Sequence, residues 1–518
     1  MATEPGHAAE VVQALVARGR ALRAGVDSAR EAEVQVVMLG IASAALYLLL
    51  YVAERRIFFN GLVSTSGPAA PDHAQVPVDL VLYYLATVGL FGAYARILVM
   101  CRRGFLVGRA RTLAILFPVL FHLAWLLSQP LLSRDVLTYL AQGYLGILPD
   151  GNPLAEPVTR VLGTALGAEL ARIGWSSFGE ISPYGPLWTH LEVGVIRLTT
   201  DIGTATLLIK GVVVLASFGS AALVWMILGR LRPTDQLLGT LAYLANPLIV
   251  IEFGGEGHND ALMVLFVLAS LLLSIAGRQT AALVALLLGA LTKYLPFIFV
   301  PAELVYFWRS RDHSRLGWSL ALAATYGFVL AALAYAPFWT GFATFNGIAM
   351  AGQRGVQAST SGTVLWILER LFPASTATQV TSLILIAIFA LIVALTLRSI
   401  TDAESFVKSC AGTALAYLLV ASPYIWPWHA ALPVALMCLS PRVPFLITIF
   451  VLSLCARLVA PLNDLFLNGF IPFRLSAAVT TLVLIGIPLL LLAVLSHPRG
   501  RVIFGTPEGV TRDTRAGA

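Results

Sequence analysis

Long apolar stretches recur along most of the chain, and this feature limits its possible folds more than any other. A helix that crosses a bilayer needs about 20 consecutive, mostly apolar residues. Hydrophobic residues make up 58% of the 518 residues and charged residues 12%, against about 25% charged in a soluble domain. The polar surface is too small for a soluble body of this size. The sequence therefore predicts an all-α polytopic membrane protein and argues against soluble enzymes, DNA-binding modules and disordered scaffolds.

Apolar length and flanking charge predict about fourteen transmembrane helices. Two of them, within 280–308, are short and are also consistent with half-helices that meet at Thr292–Tyr294. Residues 184–199 are apolar but too short for a span, and we expect a helix at the outer interface there. The predicted spans lie near 34–53, 77–100, 112–132, 205–229, 236–252, 260–276, 280–293, 294–308, 316–337, 379–397, 408–422, 427–440, 443–460 and 476–496.

The distribution of basic residues predicts the orientation in the membrane. The formal net charge is +7, and Lys and Arg are retained on the cytoplasmic side of a membrane. Most Arg-containing loops fall on one side if the spans alternate, so we assign that side and both termini to the cytoplasm. The long stretch 133–204 is then extracytoplasmic. The four cysteines show no metal-ligand spacing, so we expect neither a disulfide framework nor a zinc site.

An acidic residue stands at the outer mouth of the third predicted span, in Ser133-Arg134-Asp135. Partial desolvation at such a position raises the basicity of a carboxylate, which suits a general base. The alternative is structural: Asp135 would cap a helix or pair with Arg134. Spacing alone leaves both interpretations open.

A second cluster combines Glu252 with the run Glu256-Gly257-His258-Asn259-Asp260 between two apolar helices. Grouping an imidazole, carboxylates and an amide so close to lipid is expensive, and such groups tend to be functional. The structural alternative is an N-cap for the helix that begins near residue 260, but a cap needs only one of these residues.

Three basic side chains are candidate phosphate contacts near the same face. Lys293 lies at the predicted helix break, His429 ends the aromatic segment 422–429, and Arg354 lies in the loop 338–378. The alternatives are a lysine that extends to the interface, an interfacial histidine and a solvated loop charge.

Several motifs are missing from the sequence. No Asp-x-Asp pair occurs, and this pair is the usual divalent-metal and nucleotide-diphosphate clamp of soluble glycosyltransferases. No Walker A loop is present either. The sequence therefore argues against ATP hydrolysis and against a nucleotide-sugar donor held by a metal.

Four pieces of sequence, in order, resemble membrane glycosyltransferases with the GT-C fold. The likeness is closest to the bacterial polyprenyl-phosphomannose-dependent α-1,6-mannosyltransferases of lipoglycan assembly, and it runs from about residue 112 to 440. Asp135 follows the third predicted span, where many GT-C enzymes place the catalytic loop after the first. The pieces are 133–143, Gly151-Asn152-Pro153, the segment 182–188 (Ser-Pro-Tyr-Gly-Pro-Leu-Trp), and Asn246-Pro247 followed by 257–260.

The resemblance implies an inverting transfer of one sugar, with mannose expected, from a polyprenyl-phosphate donor to a glycan or glycolipid acceptor. By the family's pattern Asp135 would be the catalytic base, and Lys293 and His429, with Arg354 as a further contact, would hold the donor phosphate. No cofactor is expected, and a divalent metal is not required. The implied sugar- and acceptor-binding residues are Tyr139, Tyr184, Trp188, Glu256, His258, Asn259 and Asp260.

The same resemblance divides the chain into segments and places it in the plasma (inner) membrane of a cell envelope, with lipid-linked donor, acceptor and membrane lipids as partners and no nucleic acid. A lipid-linked glycan polymerase or ligase stays open as an alternative, and a secondary transporter is a further one. The predicted segments are a cytoplasmic tail (1–33), two additional N-terminal transmembrane helices (34–111), a GT-C-like catalytic core (112–440), C-terminal transmembrane helices (441–497) and a cytoplasmic tail (498–518).

Overall fold

The computed structural model of the protein describes residues 6–59, 76–175, 179–309, 316–353, 359–467, 478–488 and 490–491. No β-strand occurs in these ranges. The α-helices are α1 (Gly6–Glu54), α2 (Val76–Arg102), α3 (Gly108–Leu126), α4 (Asp135–Leu145), α5 (Ala165–Arg172), α6 (Pro186–Leu198), α7 (Ile202–Leu231), α8 (Gln236–Leu244), α9 (Pro247–Ile249), α10 (Asp260–Ile275), α11 (Gln279–Thr292), α12 (Val300–Arg309), α13 (Leu316–Tyr335), α14 (Asn346–Gln353), α15 (Thr360–Leu368), α16 (Ala374–Arg398), α17 (Ala403–Ala416), α18 (Ala431–Met437) and α19 (Val443–Leu467).

Shorter turns extend or link these helices. π-Helical segments are Arg55–Phe59, Val250–Gly255, Tyr417–Ala421 and Leu482–Gly486, and 3₁₀ turns are Val158–Gly163, Pro233–Asp235, Leu295–Phe299, Ala336–Phe338, Ala343–Phe345 and Pro427–Ala430.

Seven helices in the described ranges are long and apolar enough to cross a membrane. An eighth span arises if the helices at 233–244 and 247–255, bent by 46°, count as one. The prediction of an all-helical, membrane-embedded protein is confirmed. The seven helices cover 29–57, 77–102, 108–126, 202–231, 316–338, 374–398 and 443–462.

Six of the fourteen predicted spans are not matched by such a helix, and their number and the GT-C arrangement stay predictions. α10 and α11 are apolar but shorter than 18 residues. Residues 427–440 form a 3₁₀ turn and the seven-residue α18. A seven-residue helix is only about 10 Å long, because each residue adds 1.5 Å. Of the predicted span 476–496, only 478–488 and 490–491 are described.

The assignment of the two ends of the chain as cytoplasmic tails stays a prediction. From Gly6, the described part of segment 1–33 is helical and continues into the first span as α1. The predicted tail 498–518 lies outside the described residues.

The predicted break within 280–308 is confirmed. α11 ends at Thr292, Lys293 takes an extended conformation, and a 3₁₀ turn containing Pro296 leads into α12. Proline lacks an N–H group, so a helix cannot continue undisturbed through it. The break turns the Lys293 side chain out of the helix axis and makes it available to neighbouring segments.

The core is built from buried apolar side chains of α7, α8, α10, α17, α18 and α19. A second cluster joins α1, α2 and α3 to Val250 and Ile251. Most side chains of α13 and α16 are exposed, including Phe328, Leu333 and Leu383. Exposed apolar side chains on a membrane helix face lipid, so α13 and α16 form the outside of the bundle. The stretch 133–204 carries α4, α5 and α6 beside the core.

Candidate active site

Asp135 is the first residue of α4 and ends the turn that follows α3. Its backbone N–H donates to the Ser133 hydroxyl over 3.1 Å, and its side chain is 29% exposed. Free N–H groups and the helix dipole stabilise negative charge at the first turn of a helix. The turn therefore presents an anionic side chain that is held on one side and accessible on the other.

Glu256 fixes the turn that carries Asp135. Its carboxylate accepts hydrogen bonds from the backbone N–H groups of Leu131, Leu132 and Ser133, over 3.1, 3.0 and 2.8 Å. The side chain is completely buried. The sequence placed Glu256 among the sugar- and acceptor-binding residues, whereas in the structure both of its oxygens are occupied by the chain itself.

We expect Glu256→Gln to lower the free energy of unfolding by about 1–3 kcal/mol, because one buried backbone N–H then faces an NH₂ group instead of an acceptor. Thermal unfolding of the detergent-solubilised protein measures the change. Glu169→Gln is the matched control, since its side chain is 55% exposed and should move stability by no more than about 0.5 kcal/mol. Equal melting temperatures for Glu256→Gln and the parent would contradict this role.

His258 lies between two carboxylates. Its Nδ1 is 3.5 Å from Oδ2 of Asp135, and its Nε2 is 3.3 Å from Oε2 of Glu252. The imidazole is completely buried and stacks on the Trp428 ring, with 3.8 Å between centroids and 20° between planes. The ring can therefore turn little, and each of its nitrogens lies at ion-pair distance from a carboxylate oxygen, although neither makes a hydrogen bond within the described ranges.

Gly257 makes this placement of His258 possible. Its φ is +70°, a conformation that residues with a Cβ rarely adopt. A Cβ added there would also lie 2.8 Å from the Val136 side chain and 2.9 Å from that of Lys210. The Gly-His pair is thus a local requirement of the turn between the bent pair of helices and α10.

The charges of the cluster are mutually dependent. Burial lowers the pKa of a histidine, but Asp135 and Glu252 outweigh it and raise the pKa of His258 to about 9. Burial likewise raises the pKa of a carboxyl group, yet His258 and Lys293 hold the pKa of Asp135 below its ordinary value. At neutral pH the pair is therefore an imidazolium facing a carboxylate.

Lys293 and Asp260 form a second ion pair in the site. The Lys293 ammonium donates to both Asp260 oxygens, over 3.0 and 2.8 Å. The Asp260 side chain is 3% exposed and that of Lys293 is 21% exposed. The Lys293 side chain is thus partly exposed at the site, and its charge acts on Asp135.

Three aromatic side chains form a wall beside Asp135. The Tyr184 hydroxyl donates to Oδ2 of Asp135 over 3.4 Å. The Tyr139 ring lies 5.4 Å from that of Tyr184 and 5.1 Å from that of Trp188, both edge to face. Tyr139 and Trp188 are completely buried, while Tyr184 is half-buried. Only Tyr184 of the three reaches the carboxylate directly.

The remaining predicted site residues have different surroundings. Asn259 is buried, and its side-chain amide has no hydrogen-bond partner within the described ranges. Nδ1 of His429 accepts the backbone N–H of Trp426 over 3.3 Å, and its ring lies 5.6 Å from that of Trp428. Arg354 lies outside the described residues.

Gly185 and Asn246, from the two motifs 182–188 and 246–247, have structural roles. The Gly185 N–H donates to the Thr292 carbonyl over 3.0 Å, and a Cβ at Gly185 would lie 2.0 Å from the Leu291 carbonyl oxygen. Asn246 caps the next helix, because its side chain accepts the N–H of Leu248 over 3.0 Å. These contacts bring the segment 182–188 against the Lys293 break and orient the chain that leads to Glu252.

Sequence reasoning missed the two charged residues behind Glu252. Arg457 of α19 donates to Oε1 of Glu252 over 2.7 Å and to Oε1 of Glu54 over 2.6 Å. All three side chains are at most 2% exposed. Ionisable residues within apolar spans are functional candidates by default, and Arg457 in the run Leu-Cys-Ala-Arg-Leu-Val is one such signal.

The arrangement as a whole combines a partly open carboxylate, a buried cation that keeps it ionised and a partly exposed lysine side chain. It is suited to taking a proton and to holding an anionic group beside it. In the parts of the chain that the structure describes, no three or more His, Cys, Asp or Glu side chains group as metal ligands would. The expectation that no metal is required stays a prediction.

Comparison with known proteins identifies relatives. A family model described as "Alpha-(1->6)-mannopyranosyltransferase, N-terminal domain" matches residues 35–309. The match begins within α1 and ends with α12, so it contains Asp135, His258 and Lys293 but not Arg457 or His429. No solved structure matches the chain.

Two curated relatives carry the name alpha-(1->6)-mannopyranosyltransferase A. The protein of Corynebacterium glutamicum is 30% identical over 195 residues, which cover 37% of each chain. That of Mycobacterium tuberculosis is 30% identical over 223 residues, which cover 40% of this chain and 38% of the relative. The aligned part thus spans less than two-fifths of either relative. Since the family model covers more than half of the 518 residues, the chain belongs to the alpha-(1->6)-mannopyranosyltransferase family.

Proposed function

We propose that this protein is a membrane mannosyltransferase that moves one mannose from a polyprenyl-phosphate donor to a glycan or glycolipid acceptor, forming an α-1,6 linkage. The site would face the extracytoplasmic side of the plasma (inner) membrane, with both termini in the cytoplasm. The observation that carries the proposal is the Asp135 carboxylate, partly open and held ionised by His258 within the segment that the family shares.

Family membership favours transfer of a sugar over the polymerase, ligase and transporter alternatives. The donor class rests on other grounds. The chain has no Asp-x-Asp pair to clamp a nucleotide diphosphate through a metal, and the seven long apolar helices of the described ranges suit a donor that is itself held in lipid. A lipid-linked donor needs neither a nucleotide pocket nor a metal clamp, because the bilayer holds its prenyl chain.

In the proposed reaction, the acceptor hydroxyl oxygen attacks the anomeric carbon of the donor from the face opposite the phosphate. The new carbon–oxygen bond forms as the bond between the anomeric carbon and the phosphate oxygen breaks. The hydroxyl proton passes to Asp135, and polyprenyl phosphate leaves with inversion at the anomeric carbon. An α-linked product then requires a β-linked donor.

The charge state of Asp135 fits this chemistry. A carboxylate of low pKa is a weak base, so it takes the proton late, when bond formation has made the attacking hydroxyl acidic. His258 keeps Asp135 ionised between turnovers, and Tyr184 orients one of its oxygens. The half-buried Tyr184 and the unpartnered amide of Asn259 are then the side chains best placed for a sugar hydroxyl.

Lys293 is proposed to bind the donor phosphate. In the free enzyme, Asp260 neutralises the charge of Lys293. We expect Lys293→Gln to weaken transfer about 10- to 100-fold, because a charged hydrogen bond to the phosphate is lost while a donor to Asp260 is kept. Initial rates over a range of donor concentrations measure the effect, which should appear mainly in the KM for the donor.

Lys408→Gln is the matched control for the Lys293 variant. Lys408 pairs with Glu404 near the start of α17 and is about one-third exposed. An unchanged donor KM in Lys293→Gln, or an equal change in both variants, would remove Lys293 from the phosphate site. His429 and Arg354 are further proposed phosphate contacts.

The test of the function uses purified protein in lipid nanodiscs with radiolabelled polyprenyl-phosphate mannose and an oligomannoside acceptor. We expect labelled product that an α-1,6-mannosidase cleaves, and no product when GDP-mannose or polyprenyl-phosphate glucose replaces the donor. Transfer from GDP-mannose alone would overturn the donor class. No transfer from any mannose donor would overturn the assignment as a mannosyltransferase.

A further inference from the structure

Five charged side chains form an unbroken series from the open edge of the site into the bundle. Asp135 contacts His258, His258 contacts Glu252, Glu252 contacts Arg457, and Arg457 contacts Glu54, over 3.5, 3.3, 2.7 and 2.6 Å. Acidic and basic groups alternate along it. We call these five residues the charge relay.

The relay joins parts of the chain that are far apart in sequence. Glu54 is the last residue of α1, Glu252 lies in the π-helical segment 250–255, and Arg457 lies in α19. Behind Asp135, each side chain is at most 2% exposed. Buried ions are costly, and replacing a buried ion pair by apolar residues is often neutral or stabilising. Helix packing alone therefore gives little reason to keep three buried ion pairs, His258–Glu252, Glu252–Arg457 and Arg457–Glu54.

The two carboxylate oxygens of Glu252 contact different partners. Oε1 accepts from Nη1 of Arg457, and Oε2 faces Nε2 of His258. The guanidinium thus fixes the plane of the carboxylate and leaves Oε2 facing the imidazole. Oε2 of Glu252 and Oδ2 of Asp135 then lie at ion-pair distance on opposite sides of the imidazole.

We infer that Arg457 is a positioning residue for the base: acting through Glu252, it sets the orientation and charge of His258 and thereby holds Asp135 ready to accept a proton. The catalytic role that this inference gives to Arg457 rests on the proposed function. It gives α19 and the end of α1 a part in the site, although Arg457 lies outside the segment 35–309 shared with the family.

Charged groups other than Glu252 and Arg457 also lie around His258 and must stay constant in a test. The titratable groups that face it or contribute to its electrostatic surroundings are Asp135, Glu252, Glu256, Asp260, Lys293 and His429, and Trp428 covers one face of its ring. Variants of Glu252 and Arg457 change none of these other side chains.

The first measurement follows the protonation of His258 directly, without donor or acceptor. Protein labelled with [¹⁵N]histidine is reconstituted in lipid, and His258→Gln identifies the signal. In the parent, His258 should be an imidazolium at pH 7.5, since its pKa is about 9. In Glu54→Gln/Arg457→Met, which removes the arginine together with one of its carboxylates, we expect the midpoint to fall toward the ordinary value of about 6.5.

A double-mutant comparison separates the relay from a general structural effect. Glu252→Gln alone should lower the His258 midpoint, and adding Glu54→Gln/Arg457→Met should lower it no further, because the arginine acts through Glu252. Arg457→Lys, which keeps the charge, should restore part of the shift. Glu303→Gln alters another completely buried carboxylate, which Ser270 and Ser274 contact, and should leave His258 unchanged.

Transfer assays then connect the relay to catalysis. A neutral His258 no longer stabilises the Asp135 carboxylate, so the acid limb of the rate profile should move to higher pH in Glu54→Gln/Arg457→Met. The maximal rate should fall about a hundredfold at an unchanged donor KM, as for other misplaced catalytic groups.

The outcomes of the two measurements are distinguishable. An unchanged His258 titration in folded Glu54→Gln/Arg457→Met, or an equal further shift when these changes are added to Glu252→Gln, would overturn the relay whatever the transfer assay shows. A shifted titration in a protein whose parent form transfers no mannose would support the relay and overturn the proposed function.

Discussion

Asp135→Asn is expected to fold as the parent does and to lose mannose transfer by a factor of about 10²–10⁴, the usual contribution of a positioned general base. The amide has nearly the same shape and can still accept from the hydroxyl of Tyr184. It cannot take a proton from the acceptor. The measurement is the initial rate of transfer from radiolabelled polyprenyl-phosphate mannose at saturating donor and acceptor, with the melting temperature taken from the same preparation.

Asp201→Asn is the matched control for this variant. Asp201 caps α7 by accepting the backbone N–H of Thr204 over 2.8 Å, and asparagine caps helices equally well. The same chemical change should therefore leave both transfer and stability unaltered there. Full activity of Asp135→Asn would remove Asp135 from the mechanism and direct attention to Asp260, the other carboxylate next to Lys293.

Much of the fold could be predicted because apolar length is a local property of the sequence. Eight predicted spans coincide with long apolar helices or with the bent pair. The helix break at Lys293 was predictable for the same reason, since Pro296 follows it closely. Short segments were harder: α18 has seven residues, and an apolar run such as 427–440 does not reveal how much of it is one helix.

The site could be predicted in part because its residues are polar in an apolar background. Asp135, His258, Asp260 and Lys293 do come together in the structure. The roles of individual residues were less accessible. A carboxylate that binds three backbone N–H groups, as Glu256 does, has the same sequence signature as one that binds a sugar.

The deeper part of the relay was beyond sequence reasoning for a physical reason. Glu54 and Arg457 are 403 positions apart, and their contact depends on how α1 and α19 pack around the segment 250–255. Each residue alone looks like an isolated charge at the end of a span or inside one. Only the fold shows that the two neutralise each other and that Glu252 links them to the site.

Removing Arg457 alone should be the most destabilising single change considered for this protein. We expect Arg457→Met to lower the free energy of unfolding by about 3–5 kcal/mol, because Glu54 and Glu252 would stay buried without their shared cation. Thermal unfolding in detergent at a fixed scan rate measures the change.

The neutral combination Glu54→Gln/Glu252→Gln/Arg457→Met should recover most of the lost stability, since no buried charge is then left unpaired. If the combination were as unstable as Arg457→Met, packing of the arginine side chain would account for the loss, and the charges would not. If Arg457→Met unfolded at the parent's temperature, the two buried ion pairs would contribute little to stability, and Arg457 would not be needed to hold Glu252 beside His258.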